Sequence, residues 1–353
     1  MLQQLRERFS FIGVVMWALR IVVVVIVVWG SFVSLTSGVY SAAQWQDLII
    51  VGLAQGGVYA LIALGYTMVY GILGFINFAH GDIFMGGAMI GFYVADALAK
   101  NGLWDNSPFL SLLIVLVVSM ATCTFLAVLL ERVAYRPLRG APRLIPLITA
   151  IGASFFLEYA FRGLFGAGVK SYPAMGILSG HISILGIRVL RTQLLVIVSA
   201  LLMMAFLYWF VEKTKTGRAM RAVAEDKEIA ALMGVDVDRT ITVTFAVGGM
   251  MAGAAALLYS LVFRQVFFFT GFLPGIKAFT AAVLGGIGNI VGAMAGGLLL
   301  GMVESIGPIL VLGGWGVPSP HQLKDVVAFT VLVLVLIFRP TGLLGERLAE
   351  ERA

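Results

Sequence analysis

The sequence predicts an all-α fold, a polytopic membrane helical bundle of about ten transmembrane helices, and three observations carry that expectation. Of 353 residues, 60% are hydrophobic and 12% charged. A soluble domain carries about 25% charge, and so little polar surface cannot cover a water-exposed body of this size. Apolar runs then recur at roughly the 20-residue length that a bilayer crossing requires. Finally, Lys and Arg alternate in density from one connection to the next, as cytoplasmic and external loops do.

Taken in order, apolar runs bounded by charged or Pro/Gly-rich breaks predict helices near 12–33, 48–73, 80–98, 109–130, 144–165, 192–211, 240–263 and 324–338. The stretch 274–312 is too long for one crossing at about 1.5 Å per residue. Gly285, Gly286 and Gly288 interrupt it, so it reads as two shorter spans. With the N-terminus inside, sixteen basic residues fall on cytoplasmic segments: Arg6, Arg8 and Arg20; Arg132, Arg136, Arg139 and Arg143; six from 213 to 239; and Arg339, Arg347 and Arg352. Five fall outside: Lys100, Lys170, Arg188, Arg191 and Arg264. This bias requires an even number of crossings and puts both termini in the cytoplasm. Arg6, Arg8 and Arg20 before an apolar run, with Ser41, Ala42 and Ala43 after it, resemble a signal peptide, but the long basic region favours a retained first helix.

Glycines recur at helix-packing spacing in Gly87/Gly91, Gly249/Gly253, Gly288/Gly292/Gly296 and Gly297/Gly301, which lets helix backbones approach closely. Several function classes lack their signatures. The chain has no HExxH, GxSxG or GxxxxGK[ST] motif, and His80, His181 and His321 are too far apart for a local metal motif. Cys123 is the single cysteine, so no internal disulfide forms. The net charge of +6 belongs to loops facing the cytoplasm, with no nucleic-acid partner implied. No catalytic residue, metal or cofactor is expected in this chain, and any ATP used is bound elsewhere.

The connection 212–239 differs from a plain linker. Thr216 as N-cap and Gly234 as C′ residue bracket a helix over 218–233. Ala219, Ala222, Val223, Ile229, Ala230 and Met233 make one stripe, and Arg218, Arg221, Glu225 and Glu228 another. Small side chains and mixed charge suit insertion into a protein groove better than a lipid surface; packing on the chain's own bundle is the other reading.

Charges within spans cost about 2.5–3.5 kcal/mol each on insertion scales. Glu304 is the clearest case, with a pathway or inter-permease role and a bond to a neighbouring helix both open. Glu158 and Arg162 stand four residues apart and are expected to pair. Asn77, His80 and Asp82 sit where two spans meet, as a helix-breaking turn or as a solute gate. These three, with Gly285, Gly286, Gly288 and Glu304, form the candidate translocation pathway, and 74–82 and 285–289 are expected to lie close together. Arg20 is expected to snorkel to the inner interface.

Several segments together resemble a known family. The run 56–71, GGVYALIALGYTMVYG, followed by GFINFAHGD at 74–82, is similar to the opening signature of the branched-chain amino acid ABC transporter permeases. The loop 216–236, KAFTAAVLGGIG at 277–288 and RPTGLLG at 339–345 match the same pattern, closest to the first of its two paired permeases. The resemblance implies a type II-like ABC importer permease in the cell inner membrane. It covers 45–345; residues 1–44 are then a cytoplasmic tail plus an extra first helix, and 346–353 a cytoplasmic tail. The implied partners are a second permease in a heterodimer, two cytoplasmic ATPases that bind the ATP, and an external solute-binding protein. The implied solute is leucine, isoleucine or valine, with urea or short amides as the alternative. A self-sufficient secondary transporter is the alternative from another class. The coupling contact with the ATPases then falls to Gly217, Arg218, Ala219, Arg221, Ala222, Glu225, Asp226, Ala230 and Gly234.

Overall fold

The computed structural model describes residues 11–345 apart from 143, 185 and 340. Positions 6, 8, 143, 347 and 352 of the charge pattern, and the tail 346–353, lie outside the described residues. The elements in order are α1 (Phe11–Thr36), α2 (Ala42–Leu73), α3 (His80–Lys100), the short α4 (Leu103–Asn106), α5 (Pro108–Leu130) and α6 (Leu144–Phe165). Strands β1 (Lys170–Ser171), β2 (His181–Ile184) and β3 (Ile187–Leu190) precede α7 (Arg191–Lys213), α8 (Lys215–Glu225), α9 (Lys227–Leu232) and α10 (Val237–Phe263). Strand β4 (Gln265–Val266), α11 (Phe272–Gly285), α12 (Ile290–Gly307) and α13 (Lys324–Phe338) complete the chain. Among the described residues, nine helices are long and apolar enough to cross a membrane, α12 being extended to Trp315 by a π turn and a 3-10 turn. The tenth expected span is α11, whose 14 residues reach about 21 Å, short of a full crossing.

Helices α2 and α10 form the core. Every residue from 56 to 69 is buried, as an all-round apolar helix must be when other helices surround it. The glycine spacings explain how the neighbours fit. A Cβ on Gly297 would stand 2.4 Å from Ala60 Cα, and one on Gly301 2.3 Å from Gly56 Cα, so α12 and α2 touch backbone to backbone. Helix α5 lies between α3 and α10: Gly87 faces Cys123 Sγ and Gly253 faces Met120. The polar groups in this sandwich are satisfied across it, Ser119 Oγ donating to Gly87 O at 3.1 Å and Cys123 Sγ to Ile83 O at 3.1 Å. Gly288 departs from the packing pattern: a Cβ there would meet nothing within 4 Å, and its φ is +97°. It turns the chain rather than admitting a helix.

Helix α1 is largely exposed and packs on 308–315, where Ser34 Oγ donates to Ile309 O and Trp315 Nε1 to Ile26 O. The Arg20 guanidinium lies 4.9 Å from the ring centre of Phe338, the last residue of α13. At one end of the bundle β1 pairs antiparallel with β4, and β2 with β3. These strands are too short to leave a period in the sequence. The opposite end carries α8, α9 and the segment 131–139.

Candidate functional site

The segment 212–239 is an elbow of two helices, which corrects the single helix expected over 218–233. Thr214, not Thr216, is the first cap, its Oγ1 accepting the Gly217 N–H at 3.0 Å. Asp226 then leaves helical geometry at φ −152°, and its Oδ1 accepts the N–H groups of Glu228 at 2.8 Å and Ile229 at 2.9 Å. A short acidic side chain that captures backbone donors ends one helix and starts the next, so the amphipathic stripe breaks there. Gly234 does close α9 in the left-handed region, at φ +84°.

The elbow is held to the bundle by a narrow set of residues. Gly217, Met220, Val223 and Ala230 are buried. Gly217 is required there, because a Cβ would lie 2.2 Å from Val211 O at the corner with α7. Arg221 pairs with Glu212 across that corner. Arg218, Ala222, Glu225 and Asp226 face outward, with Ala219 half-buried. The outer face also carries Ile229, Leu232 and Met233, 59%, 86% and 79% exposed. A run of large apolar side chains this exposed beside a charged elbow marks a protein-contact surface. Of the expected stripe, Val223 and Ala230 turn inward and Ile229 and Met233 outward. Partial desolvation, and then the nearby Arg139 guanidinium, hold the Lys227 ammonium below the usual lysine pKa. Arg139 itself clamps buried Glu131 and Asp238, and Arg136 also pairs with Asp238, tying the segment after α5 to the start of α10.

The candidate pathway residues separate into three places. At the start of α3, Asn77, His80 and Asp82 are all buried. Asn77 Oδ1 accepts the Tyr135 hydroxyl at 2.6 Å, and the His80 ring lies edge-on to Tyr66 at 4.8 Å. Asp82 accepts a hydrogen bond from Ser154 of α6 and borders a cavity of about 150 Å³ with Tyr66, Phe78, Gly81 and Phe279. At the second place, Gly285 and Gly286 face Gly292 and Gly345 respectively. Leu343 and Leu344 donate backbone bonds to Leu284 and Gly285, and Asn289 Nδ2 donates to Leu344 O at 3.0 Å. The 74–82 segment meets α11 through Gly81 against Gly271 and Gly275 and through the Phe78 ring, 6.2 Å from that of Phe279.

The third place is Glu304, where the bond to a neighbouring helix is what the structure contains. Its Oε1 lies 2.7 Å from Lys277 Nζ and 3.5 Å from Lys324 Nζ, and Lys277 Nζ also reaches Asp325 at 2.6 Å. Lys277 and Lys324 lie 27 and 20 residues from Glu304 along the chain, a separation at which no sequence spacing shows the contact. Glu158 and Arg162 do not form the expected pair among the described residues. Glu158 is buried, and the Arg162 guanidinium lies over the rings of Phe268 at 5.3 Å and Tyr159 at 5.9 Å.

A further recess of about 320 Å³ opens near β1 and β4, bordered by Tyr172, Thr192, Gln193, Ser260 and Arg264. Burial raises the Tyr172 phenol above the usual tyrosine pKa, and its hydroxyl donates to Ala88 O at 2.9 Å. Arg264 is in the left-handed region at φ +56°.

Residues 48–336 match the family described as the permease component of branched-chain amino acid transport systems. The chain is 45% identical over 306 residues, 86% of its length and 96% of the relative's, to BraD of Pseudomonas aeruginosa, a high-affinity branched-chain amino acid transport system permease protein. It is 40% identical over 298 residues, 84% and 94% of the two lengths, to the Escherichia coli K12 protein of the same description, LivH. With a multi-pass helical bundle, an elbow bearing an exposed apolar face, and this extent of likeness, the chain belongs to the branched-chain amino acid transport permease family.

Proposed function

We propose that this chain is a permease subunit of an ATP-driven importer of the inner membrane that carries leucine, isoleucine or valine. It pairs with a second permease, receives solute from an external binding protein, and rests its elbow on one of two cytoplasmic ATPases. The observation that carries the reading is the outward apolar face of Ile229, Leu232 and Met233 on a capped elbow otherwise rich in charge. The contact with the ATPase uses Gly217, Arg218, Ala219, Arg221, Ala222, Glu225, Asp226, Ala230 and Gly234 for the elbow's shape and rim, and ATP stays on the partner. The chain performs no covalent chemistry and carries no cofactor. Both termini are cytoplasmic; residues 1–44 add an extra first helix to the permease domain 45–345, and 346–353 form a tail.

The test is reconstitution of this permease with its partner permease, ATPases and binding protein in proteoliposomes. Leucine accumulation should require both ATP and the binding protein. Accumulation of urea or a short amide in place of leucine would change the solute, and flux through the chain alone without ATP would make it a secondary transporter.

A further inference from the structure

Asp82 presents a buried carboxylate with unused acceptor capacity. It is 2% exposed, and its partner Ser154 stands at the eleventh of 22 positions in α6, the middle of a membrane-spanning helix. A carboxylate offers about four acceptor sites, and Ser154 is its hydrogen-bond donor among the described residues. None of the ion pairs among those residues includes Asp82. Glu158, one turn further along α6, adds a second buried acid, while Arg162 is committed to aromatic rings. The first turn of α3 favours a negative charge at Asp82, but a helix end does not fill the carboxylate's open side. An acid at membrane depth without a cation is a functional group by default.

What borders that open side is specific. The cavity of about 150 Å³ is faced by the rings of Tyr66, Phe78, Phe272 and Phe279, with Ile276 beside them. Ring faces attract ammonium groups, and Ile276 with the ring edges supplies apolar contact. An apolar cavity of about 150 Å³ admits a six-carbon ring, about the heavy-atom count of an ammonium nitrogen, an α-carbon and a four-carbon side chain without the carboxylate. Glycines bring its walls together: a Cβ on Gly271 would fall 2.2 Å from Gly81 O.

We infer that the Asp82 cavity is a binding station for the α-ammonium of an amino-acid solute on its way through the permease, with Tyr66, Phe78, Ile276 and Phe279 receiving the aliphatic side chain. This rests on the importer reading above and adds to it a group that selects solutes bearing a cationic nitrogen. Urea and neutral amides can donate N–H groups to Asp82 but bring no positive charge to it, so they gain less from the carboxylate than an ammonium does.

The experiment compares wild type, Asp82→Asn, Asp82→Glu and Ser154→Ala in the full complex in proteoliposomes, reading leucine uptake and binding-protein-stimulated ATP hydrolysis together. Asp82→Asn should lower uptake per ATP hydrolysed about tenfold or more, the scale of one lost hydrogen bond between charged groups, with assembly of the complex unchanged. Asp82→Glu should recover part of the uptake. Ser154→Ala removes the same link between α3 and α6 but keeps the carboxylate, so it should lose clearly less uptake per ATP hydrolysed than Asp82→Asn. Uptake by Asp82→Asn at the wild-type rate, or an equal loss in Ser154→Ala, overturns the station. A second measurement does not depend on that variant assembling. In Ser154→Cys, a cationic methanethiosulfonate should react faster than an anionic one, and leucine during turnover should slow it; equal rates for the two reagents overturn the proposal. Failure of the wild-type complex to accumulate leucine, with charge-selective labelling intact, counts against the importer reading instead.

Discussion

Lys277 and Glu304 are joined at 2.7 Å across α11 and α12, with side chains 7% and 1% exposed. The bond fastens the short helix α11, which cannot span by itself, to the long helix that follows it. Removing one partner leaves the other buried charge with a single, more exposed counter-ion, Asp325 for Lys277 or Lys324 for Glu304, and breaking a buried pair costs up to about 3–5 kcal/mol. Glu304→Leu and Lys277→Met should each lower the thermal midpoint of the purified protein sharply, and the double variant Lys277→Met with Glu304→Leu should recover most of the loss. A double-mutant cycle on thermal unfolding measures this. Additive losses would mean that the two charges do not act together.

The outward face of the elbow gives a second expectation. Leu232→Glu and Met233→Glu should each weaken ATPase association about tenfold, as truncating a buried contact residue of about 1–2 kcal/mol would. Ala222→Arg should act in the same direction by adding bulk and charge to an exposed small position. Membrane insertion and yield should not change, because none of the three side chains packs on the bundle. Co-purification and uptake read the outcome, and normal values in all three variants would remove the elbow from the ATPase contact.

Asp226 holds two backbone donors, and losing a cap of this kind costs about 1 kcal/mol. Asp226→Ala should therefore speed hydrogen exchange at the amides of Glu228 and Ile229, with the core of α10 unaffected. Asp226→Asn keeps an acceptor oxygen and should exchange nearly as wild type. Mass-spectrometric exchange on the elbow peptide distinguishes the two.

Orientation follows from the distribution of Lys and Arg. Single cysteines at Lys215 and Gly140 should label from the cytoplasmic side alone, and one at Ile177, which is 54% exposed, from the outside alone. Labelling of position 215 from outside would reverse the molecule and move the elbow away from any cytoplasmic partner.

The sequence made the spans legible because each is written locally, in about 20 apolar residues between polar breaks. The helix ends near 73, 165, 263 and 338 and the break after Gly285 all fall where charge, glycine or proline interrupts that pattern. The elbow was visible from its composition, but its division was not: Asp226 reads as one more polar residue on a helix face until its carboxylate is seen holding two N–H groups. Charge pairing was least legible. Glu158 and Arg162 have helical spacing and stay apart, while Glu304 finds Lys277 on another helix, because partners inside a bundle are chosen by which helices pack together. The docking of 342–345 on the end of α11 was hidden for the same reason, although both segments carried recognisable motifs.

The burial of Cys123 between Gly87 and α10 leaves the native protein without a thiol open to labelling. Its only thiol is fully enclosed, with its sulfur directed at Ile83 O, so a nitroxide or fluorophore added in solution has no native site to occupy. Distance measurements by electron paramagnetic resonance can therefore start from the unaltered chain. Replacing Cys123 to obtain a thiol-free background would disturb a close helix contact in that layer, whereas leaving it in place costs no signal. A spin label on the elbow and another near β4 would report, in one background, whether nucleotide turnover at one end of the bundle is felt at the other.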